Sequence, residues 1–556
     1  MSNKMEATET PLEEKKDAYE ISPAPVLVDD RPVFTTGDEV GAAIVEQQHV
    51  IPSTGQRKPT SKLEYILFNI FYFSNNGAPI GGNGGALRQA LLNLQFPNNY
   101  VPWGGQYQPM NSMLLDVTGI LFAVQLVVLM TLGPYADYGN WRPWIMIFFQ
   151  LVLEACQFAM CGLSKPGQWQ VAQALYVLGS ISANVVGAFY AATYPGIVRD
   201  LPSLIKSEEE VRAGTKTPEE HAKLDMYERA QLYNLVNITG SALVVLFYAI
   251  AIGIAAKIGY DSPQTLIKSY RILMGYFGVV TVLCTTPFFL VQKHRPGQQL
   301  PKGTSMWSAG PKQVWSAAKS ARHLKQCLMY LAAYLLVSET FGTYFNVTGI
   351  LQNEIINYSP TMLNVFSLCS DLGGGSGTVF MWYLQKRYRF SIKKAVLYGA
   401  CMTLVPSLWG GIGCFTNKIG FKHVWEFWVA SFWNFQTAAW GAYSTSMISE
   451  VVPAPKAFMF FSLFNLVSQT SGFIGPFVSA AIIKAAHGNN NVAYWFLLGM
   501  GVIGCVCIYL VDTEKGKIDV ARYLEREAQE LYDEEQRTHA ANIEEKAGVV
   551  GHLETV

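Results

Sequence analysis

A series of long apolar segments constrains the fold of this chain more than any other feature of its sequence. A helix needs about 20 predominantly apolar residues to cross the hydrocarbon core of a bilayer. The sequence therefore predicts an all-α membrane protein with 12 transmembrane helices in two six-helix bundles. The predicted spans are residues 64–83, 112–135, 142–163, 169–195, 231–256, 270–292, 325–350, 360–385, 393–415, 424–449, 456–484 and 492–511.

The first predicted span is interrupted by polar and flexible residues. Its segment from Phe68 to Phe73 is apolar, but Asn75, Asn76 and a glycine-rich run through Gly85 follow. Irregular backbone at membrane depth is tolerated only where it is buried in protein or lines a cavity. We therefore expect a broken or re-entrant helix here, followed by a long loop rich in Gly and Asn.

Composition excludes several classes of protein. Charged residues make up 15% of the chain, against roughly 25% in soluble domains. The formal net charge of zero argues against a nucleic-acid partner. The nine cysteines lie in or beside apolar segments without paired metal-ligand spacing, so we expect neither disulfides nor a metal site. No hydrolase or metalloprotease motif is present, so we predict neither an enzyme nor a bound cofactor.

The distribution of basic residues predicts the orientation. Lys and Arg are concentrated in alternate loops, whereas the opposite loops hold few, among them Arg88. Basic loops face the cytosol, so both termini are predicted to be cytosolic. The predicted organisation is a disordered cytosolic tail (1–60), an N-terminal bundle (61–292) with a cytosolic insertion (about 199–229), a cytosolic linker (293–322), a C-terminal bundle (323–512) and a cytosolic tail (513–556).

A short polar motif separates the second and third spans. It contains Gly133, Asp137, Gly139 and Arg142 in the pattern Gly-x-x-x-Asp-x-Gly-x-x-Arg. We expect Gly133 to let a helix end approach its neighbour and Gly139 to adopt positive φ in a tight turn. The motif resembles the loop between the second and third helices of major facilitator superfamily transporters. That resemblance implies a cytosolic gate in which Asp137 and Arg142 make and break charge contacts.

Three carboxylates lie in the middle of predicted spans. Ionisable groups at membrane depth are costly, so each is a candidate functional group. Glu154, Glu339 and Asp371 are therefore candidates for proton coupling. The alternative is that each carboxylate forms hydrogen bonds between helices.

Uncharged polar and aromatic side chains in the spans are suited to binding a small zwitterion. The same residue types also hydrogen-bond helices to one another. The candidates for substrate binding are Asn75, Asn76, Asn184, Tyr190, Tyr344, Asn346, Gln436, Trp440, Asn465 and Gln469.

Several segments resemble one branch of the major facilitator superfamily, the fungal autophagy-related vacuolar amino-acid effluxers. The resemblance covers about residues 60–525 and departs from the family at residues 74–77, in the first span. It is carried by Ala136-Asp137-Tyr138-Gly139-Asn140-Trp141-Arg142, Glu228-Arg229-Ala230, Met447-Ile448-Ser449-Glu450-Val451-Val452-Pro453, Ser471-Gly472-Phe473-Ile474-Gly475-Pro476 and Val511-Asp512-Thr513-Glu514-Lys515-Gly516-Lys517.

This resemblance implies the major facilitator fold and export of neutral amino acids, such as leucine, isoleucine and tyrosine, from the vacuole. It implies a vacuolar multi-pass membrane protein, with the plasma membrane as the alternative address, and protons as a candidate coupling ion. Two other functions stay open from the sequence. One is transport of a different neutral solute such as a sugar, and the other is a non-transporting regulatory role in the membrane.

Overall fold

A computed structural model of the 556-residue chain describes residues 58–77, 80–137, 139–295, 324–388, 390–448 and 472–526, with a few isolated residues elsewhere. The chain divides into two compact units, Ile51–Val520 and a second formed by Met1–Val50 with Ala521–Val556. In the second unit, the two-residue strands β1 (Leu27–Val28) and β2 (Arg31–Pro32) pair antiparallel. The predicted tail 1–60 and linker 293–322 lie largely outside the described residues.

Helices dominate the described part of the larger unit, as its apolar segments predict. We call residues 58–295 the N-terminal half and residues 324–520 the C-terminal half. The N-terminal half contains α1 (Lys62–Gly77), α2 (Gly81–Gln95), α3 (Met110–Asp137), α4 (Arg142–Met160), α5 (Trp169–Arg199), α6 (Pro202–Arg212), α7 (Pro218–Ile258) and α8 (Pro263–Val291). The C-terminal half contains α9 (Lys325–Ile355), α10 (Pro360–Tyr388), α11 (Ile392–Ile412), α12 (Val424–Ile448), α13 (Ile474–Ala485) and α14 (Asn491–Leu510), and a further helix, α15, covers 513–526.

Local sequence signals begin several of these helices. Thr217 caps α7 by accepting from the Glu220 amide, and the Glu220 carboxylate accepts from the Thr217 amide. Ser262 and Thr265 form the same reciprocal arrangement at α8. Such caps satisfy amides that the first helical turn leaves without partners.

Seven of the described helices are long and apolar enough to cross a membrane by length and composition. They include α3, α4, α5, α8, α11 and α14, together with the Ile238–Ile258 part of α7. Helices α9, α10 and α12 have 31, 29 and 25 residues, which is the length of a span, but fall outside this set. The helical membrane architecture agrees with the sequence, whereas the number of 12 spans stays a prediction.

The first predicted span is broken, as expected, but the loop predicted after it is helical. Helix α1 ends at Gly77, and α2 begins at Gly81 and continues to Gln95. Ile80, just before α2, packs close to Gly179 of α5, where an added Cβ would lie 2.7 Å from the Ile80 Cδ1 atom and would require that side chain to shift. Arg88, predicted in an exposed loop, is therefore buried within α2.

A short β-hairpin connects α2 to α3 and was not predicted from the sequence. Strands β3 (Tyr100–Trp103) and β4 (Gln106–Pro109) pair antiparallel, with Gly104 and Gly105 in the turn at positive φ. The turn between α9 and α10, residues 356–359, contacts the same end of the helices through Tyr270 of α8. We call this end of the larger unit the hairpin end.

Two pairs of helices form the most extensive contacts between the halves. Helix α3 packs on α13, and α7 packs on α10. At the first contact, a Cβ on Gly119 would lie 2.8 Å from the Phe477 ring, so the absence of a side chain permits the approach. The halves therefore meet mainly along α3–α13 and α7–α10, with smaller contacts of α2 on α9 and α10.

Candidate functional site

A cavity of about 150 Å³ lies where α1 and α7 of the N-terminal half face α10 of the C-terminal half. The Asp371 carboxylate is exposed in its lining, beside a serine hydroxyl and aromatic rings. The lining residues are Tyr72, Phe73, Gly240, Ser241, Val244, Val245, Leu368, Asp371, Leu372 and Gly375. A single carboxylate among apolar and uncharged polar groups is suited to a cationic amine on a small solute.

Buried amides join the halves between this cavity and the hairpin end. The Asn83 amide donates to Asn364 Oδ1 at 2.9 Å, and the Asn364 amide donates back to Asn83 Oδ1 at 3.3 Å. Asn364 precedes Asp371 by seven residues on α10, which corresponds to a rise of about 10 Å. The paired amides therefore lie about two helical turns nearer the hairpin end than the Asp371 carboxylate.

Further hydrogen bonds extend this contact toward the hairpin end. Gln89 donates to the Ile350 carbonyl at 3.0 Å and accepts from Asn353 at 2.9 Å. Asn111 donates to Glu354 Oε1 at 2.8 Å.

Two bonds to main-chain carbonyls complete the contact at this end. The Ser112 hydroxyl donates to the Ala480 carbonyl, and the Tyr270 hydroxyl donates to the Tyr358 carbonyl, both at 2.7 Å. Every one of these bonds connects the two halves. They close the hairpin end, whereas the cavity lies on the other side of the Asn83–Asn364 pair.

Asp371 is the predicted proton-coupling residue that lines the cavity. Glu339 is buried instead at the start of α13, where its Oε1 atom accepts from the Gly475 amide at 2.5 Å and from Thr343 at 3.0 Å. A carboxylate is favourable at a helix N-terminus, where amide groups lack helical partners. This contact matches the alternative interpretation of Glu339 as a hydrogen-bonded link between helices.

Glu154 is buried inside the N-terminal half. Its Oε1 atom accepts from Gln150 at 2.9 Å and from Thr285 of α8 at 3.1 Å. These bonds connect α4 to α8, away from the residues that line the cavity.

Two of the predicted substrate-binding residues in the N-terminal half make contacts within that half. Asn184 donates to Gln125 Oε1 at 2.7 Å, which joins α5 to α3. Tyr190 donates to the Phe68 carbonyl at 3.0 Å and stacks on the Phe68 ring, with 4.3 Å between centroids. Both side chains link helices in this conformation.

The corresponding candidates in the C-terminal half are also engaged. The Asn346 amide donates to the Gly342 carbonyl of its own helix, and Gln436 accepts from the Tyr398 hydroxyl. The Tyr344 ring is buried near Phe421 and Tyr494.

Trp440 stacks on Tyr334, with 5.5 Å between ring centroids. The side chains of Asn75, Asn76 and Asp137, and residues Asn465 and Gln469, lie outside the described residues.

The polar motif between α3 and α4 contains the predicted turn at Gly139. Helix α3 continues through Gly133 and Pro134 to Asp137, and a Cβ at Gly133 would meet no atom of the described residues within 4 Å. The close helix approach expected at Gly133 stays a prediction. Gly139 has φ of +73°, as predicted for the turn. Arg142 Nε donates to the Ala136 carbonyl at 2.6 Å and so caps α3.

A buried ion cluster lies at the end of the helices opposite the hairpin end, and it was not predicted from the sequence. Arg295 Nη1 lies 2.6 Å from Glu64 Oε1, and Arg295 Nε lies 2.9 Å from Asp200 Oδ2. Burial lowers the pKa of Arg295, but hydrogen bonds and charge contacts with Glu64 and Asp200 outweigh it, so the pKa is raised overall. The cluster joins the start of α1 to the ends of α5 and α8. In the sequence, Glu64 and Asp200 are acidic residues at the boundaries of predicted spans, and this pattern is the same as that of solvated surface charges.

The fold can be compared with solved transporter structures. A D-xylose-proton symporter superposes with a TM-score of 0.53 at 14% identity, covering 82% of this chain and 98% of the symporter. A peptide transporter solved with sulfate gives a TM-score of 0.51 at 13% identity, covering 88% of this chain and 99% of the transporter. At these identities the likeness concerns the fold alone. The predicted major facilitator fold is confirmed.

Sequence relatives identify the family. Autophagy-related protein 22 of Yarrowia lipolytica is 25% identical over 476 residues, covering 77% of this chain and 80% of that protein. Autophagy-related protein 22-2 of Sclerotinia sclerotiorum is 23% identical over 470 residues, covering 73% and 68%. The family model described as "Vacuole effluxer Atg22 like" matches residues 53–521. The chain is thus a membrane transporter that belongs to the Atg22-like vacuole effluxer family.

Proposed function

We propose that this protein exports neutral amino acids of the leucine, isoleucine and tyrosine type from the vacuole to the cytosol by alternating access. The observation that carries the proposal is the position of the cavity relative to the contacts between the halves. The Asp371 cavity lies on one side of the Asn83–Asn364 pair, and the hairpin end beyond that pair is closed. A carrier must be closed on one side of its site before the other side opens.

The distribution of basic residues indicates the side of the membrane to which this conformation is closed. Basic loops identify the cytosolic side, and the hairpin end belongs to the opposite, luminal set. The conformation is then closed to the lumen, which is the state from which an exporter releases solute to the cytosol. Separation of the halves at the hairpin end would admit the next molecule from the lumen.

The cavity chemistry favours a zwitterion or a neutral solute over an anion. Its lining presents the Asp371 carboxylate and no lysine or arginine among the described lining residues. The carboxylate would pair with the ammonium group of an amino acid, and the rings of Tyr72 and Phe73 would contact an apolar side chain. The description of the matching family refers to the vacuole, and the names of the relatives refer to autophagy. Both support a substrate that is exported from the vacuole.

Proton coupling is assigned to Asp371 in this proposal. Of the three predicted carboxylates, Asp371 faces the space through which solute would pass, whereas Glu339 and Glu154 are held by hydrogen bonds between helices. Exchange of a proton for the substrate ammonium at one carboxylate would couple the two fluxes. The turn with Asp137 and Arg142 is proposed as part of the cytosolic gate.

Uptake into liposomes containing the purified protein tests the proposal. The assay uses labelled leucine, isoleucine and tyrosine, with a labelled hexose as comparison, with and without an imposed pH gradient. We expect saturable amino-acid flux that depends on the gradient. Flux of the hexose alone would show that the substrate is a sugar and not an amino acid. Folded protein without flux of any solute would favour a regulatory role.

A matched pair of variants separates coupling from folding. Asp371→Asn should remove the dependence of flux on the pH gradient, while Glu154→Gln should preserve that dependence. Gradient-dependent flux of wild-type size in Asp371→Asn would contradict the assignment.

A further inference from the structure

A buried arginine in α2 has no acidic partner among the residues that the structure describes. Arg88 is 5% exposed and donates to Gln173 Oε1 at 2.8 Å and to Thr118 Oγ1 at 3.4 Å. Its guanidinium also lies 3.9 Å from the centre of the Tyr176 ring. All three neighbours are neutral, and no carboxylate of the described residues is among the groups that contact it. A buried charge without a counter-ion is costly, which points to an anion from outside the described residues.

Unmatched donors accompany this cation. Within the described residues, Arg88 Nε and Gln173 Nε2 are buried and have no hydrogen-bond acceptor. Both belong to the same hydrogen-bonded pair, since Arg88 Nη1 donates to the amide oxygen of Gln173. Buried N–H groups in proteins are almost always matched, so a pair of unmatched donors marks an absent acceptor. Two donors and one positive charge are the recognition elements for a carboxylate.

The position of Arg88 relates the pair to the closed hairpin end. Arg88 is adjacent to Gln89, which holds the closed contact through Asn353. It follows Asn83, the partner of Asn364, by five residues on α2, about 7 Å along the axis. Arg88 therefore lies on the hairpin side of the Asn83–Asn364 contact, and Asp371 lies on its other side. Along the helix axes, the Arg88–Gln173 pair therefore lies between the hairpin end and the level of the Asp371 cavity.

We propose that Arg88 and Gln173 bind the carboxylate of the transported solute when the hairpin end is open. This inference rests on the proposed amino-acid export and narrows it, because it requires a substrate with a free carboxylate. Arg88 supplies the charge and the Nε donor, Gln173 supplies a neutral donor, and Tyr176 holds the guanidinium plane. In the closed conformation the pair is buried. Asp371 then engages the ammonium group at a later step.

Binding to the purified full-length protein tests this site. Leucine is compared with leucinol, in which a hydroxymethyl group replaces the carboxylate. Wild-type protein should bind leucine about tenfold or more tightly than leucinol, because a hydrogen bond to a charged group is lost with the carboxylate. Arg88→Gln should bind the two ligands with similar affinity, and Arg88→Lys should keep part of the preference. Gln173→Leu should weaken leucine binding several-fold and leave leucinol binding unchanged.

Arg271→Gln is the matched control, since Arg271 of α8 donates to the Cys161 carbonyl away from the pair. It should retain the wild-type preference for leucine. An Arg88→Gln or Gln173→Leu variant with that same preference would overturn the carboxylate site while leaving amino-acid export intact. Wild-type protein that binds neither leucine nor any other amino acid would instead overturn the proposed function, and the carboxylate site with it.

Discussion

Asn83 of the N-terminal half and Asn364 of the C-terminal half hydrogen-bond each other in both directions, at 2.9 and 3.3 Å, with both side chains buried. This reciprocal pair divides the interface between the halves into a closed hairpin end and a side that holds the Asp371 cavity. Its two bonds exist only while the halves touch at this point. The pair is therefore a structural reporter of the conformation closed at the hairpin end.

Asn364→Leu should shift the protein toward the conformation open at the hairpin end. Losing two bonds worth about 1 kcal/mol each changes the ratio of closed to open protein by about 30-fold. Distances between spin labels at residues 107 and 357, both exposed at the hairpin end, measure this shift in a background without native cysteines. Asn184→Leu is the control, because Asn184 bonds within the N-terminal half. Equal distance distributions for the two variants would refute the role of the pair.

Arg295→Met should destabilise the protein strongly. It leaves the buried carboxylates of Glu64 and Asp200 without their cation, a change that typically costs about 3–5 kcal/mol. Thermal unfolding in detergent measures the loss. Arg212→Met is the comparison, since its ion pair with Glu208 is on the surface and should contribute less than about 1 kcal/mol. A similar small effect for both variants would show that the cluster is not structural.

Gly377→Ala should disrupt the packing of α10 on α12. A Cβ at Gly377 would overlap the main chain of Phe435, and overpacking of this kind costs about 1–3 kcal/mol. Gly375→Ala is a control in the same glycine run, because a Cβ there meets no atom of the described residues within 4 Å. Alanine at residue 375 should raise stability slightly through its higher helix propensity. Unfolding temperatures that move in the same direction in both variants would contradict the packing argument.

Glu339→Gln should lower stability without removing the dependence of flux on a pH gradient. The amide keeps an oxygen to accept from Gly475 but loses the negative charge that favours the N-terminus of α13, a change of about 0.3–1 kcal/mol at an exposed helix end and up to about 2 when buried. Paired unfolding and liposome uptake measurements check both parts. Flux that no longer responds to the gradient would restore Glu339 as the proton carrier predicted from the sequence.

The sequence predicted the helical membrane fold because long apolar segments report a bilayer directly. It also located the break near Gly77, where Asn and Gly residues cannot face lipid. It could not distinguish a glycine-rich loop from α2, since the hydrogen bonds of that helix, such as those of Arg88 with Gln173 and of Gln89 with Asn353, are with distant segments. Arg88 was assigned to an exposed loop for the same reason.

The contacts between the two halves could not be predicted from the sequence. Asn83 and Asn364 are separated by 281 positions, and nothing in either local pattern specifies the partner. Glu339 and Asp371 look alike in sequence, as acids within apolar segments, although one caps a helix and the other lines a cavity. The motif with Gly139 was an easier case, because its glycine lies in the turn at φ of +73° as predicted, although α3 continues to Asp137, two residues beyond the predicted end of the span.

Reversible cross-linking at the hairpin end tests alternating access most directly. Asn83→Cys with Asn364→Cys, in a background without the nine native cysteines, is bridged by a short thiol-reactive linker in leucine-transporting liposomes. The same linker between Gln125→Cys and Asn184→Cys, inside the N-terminal half, is the control. Our account predicts that the first cross-link abolishes leucine flux, that reduction restores it, and that the control retains it. Undiminished leucine flux through fully cross-linked Asn83→Cys/Asn364→Cys protein would contradict the account.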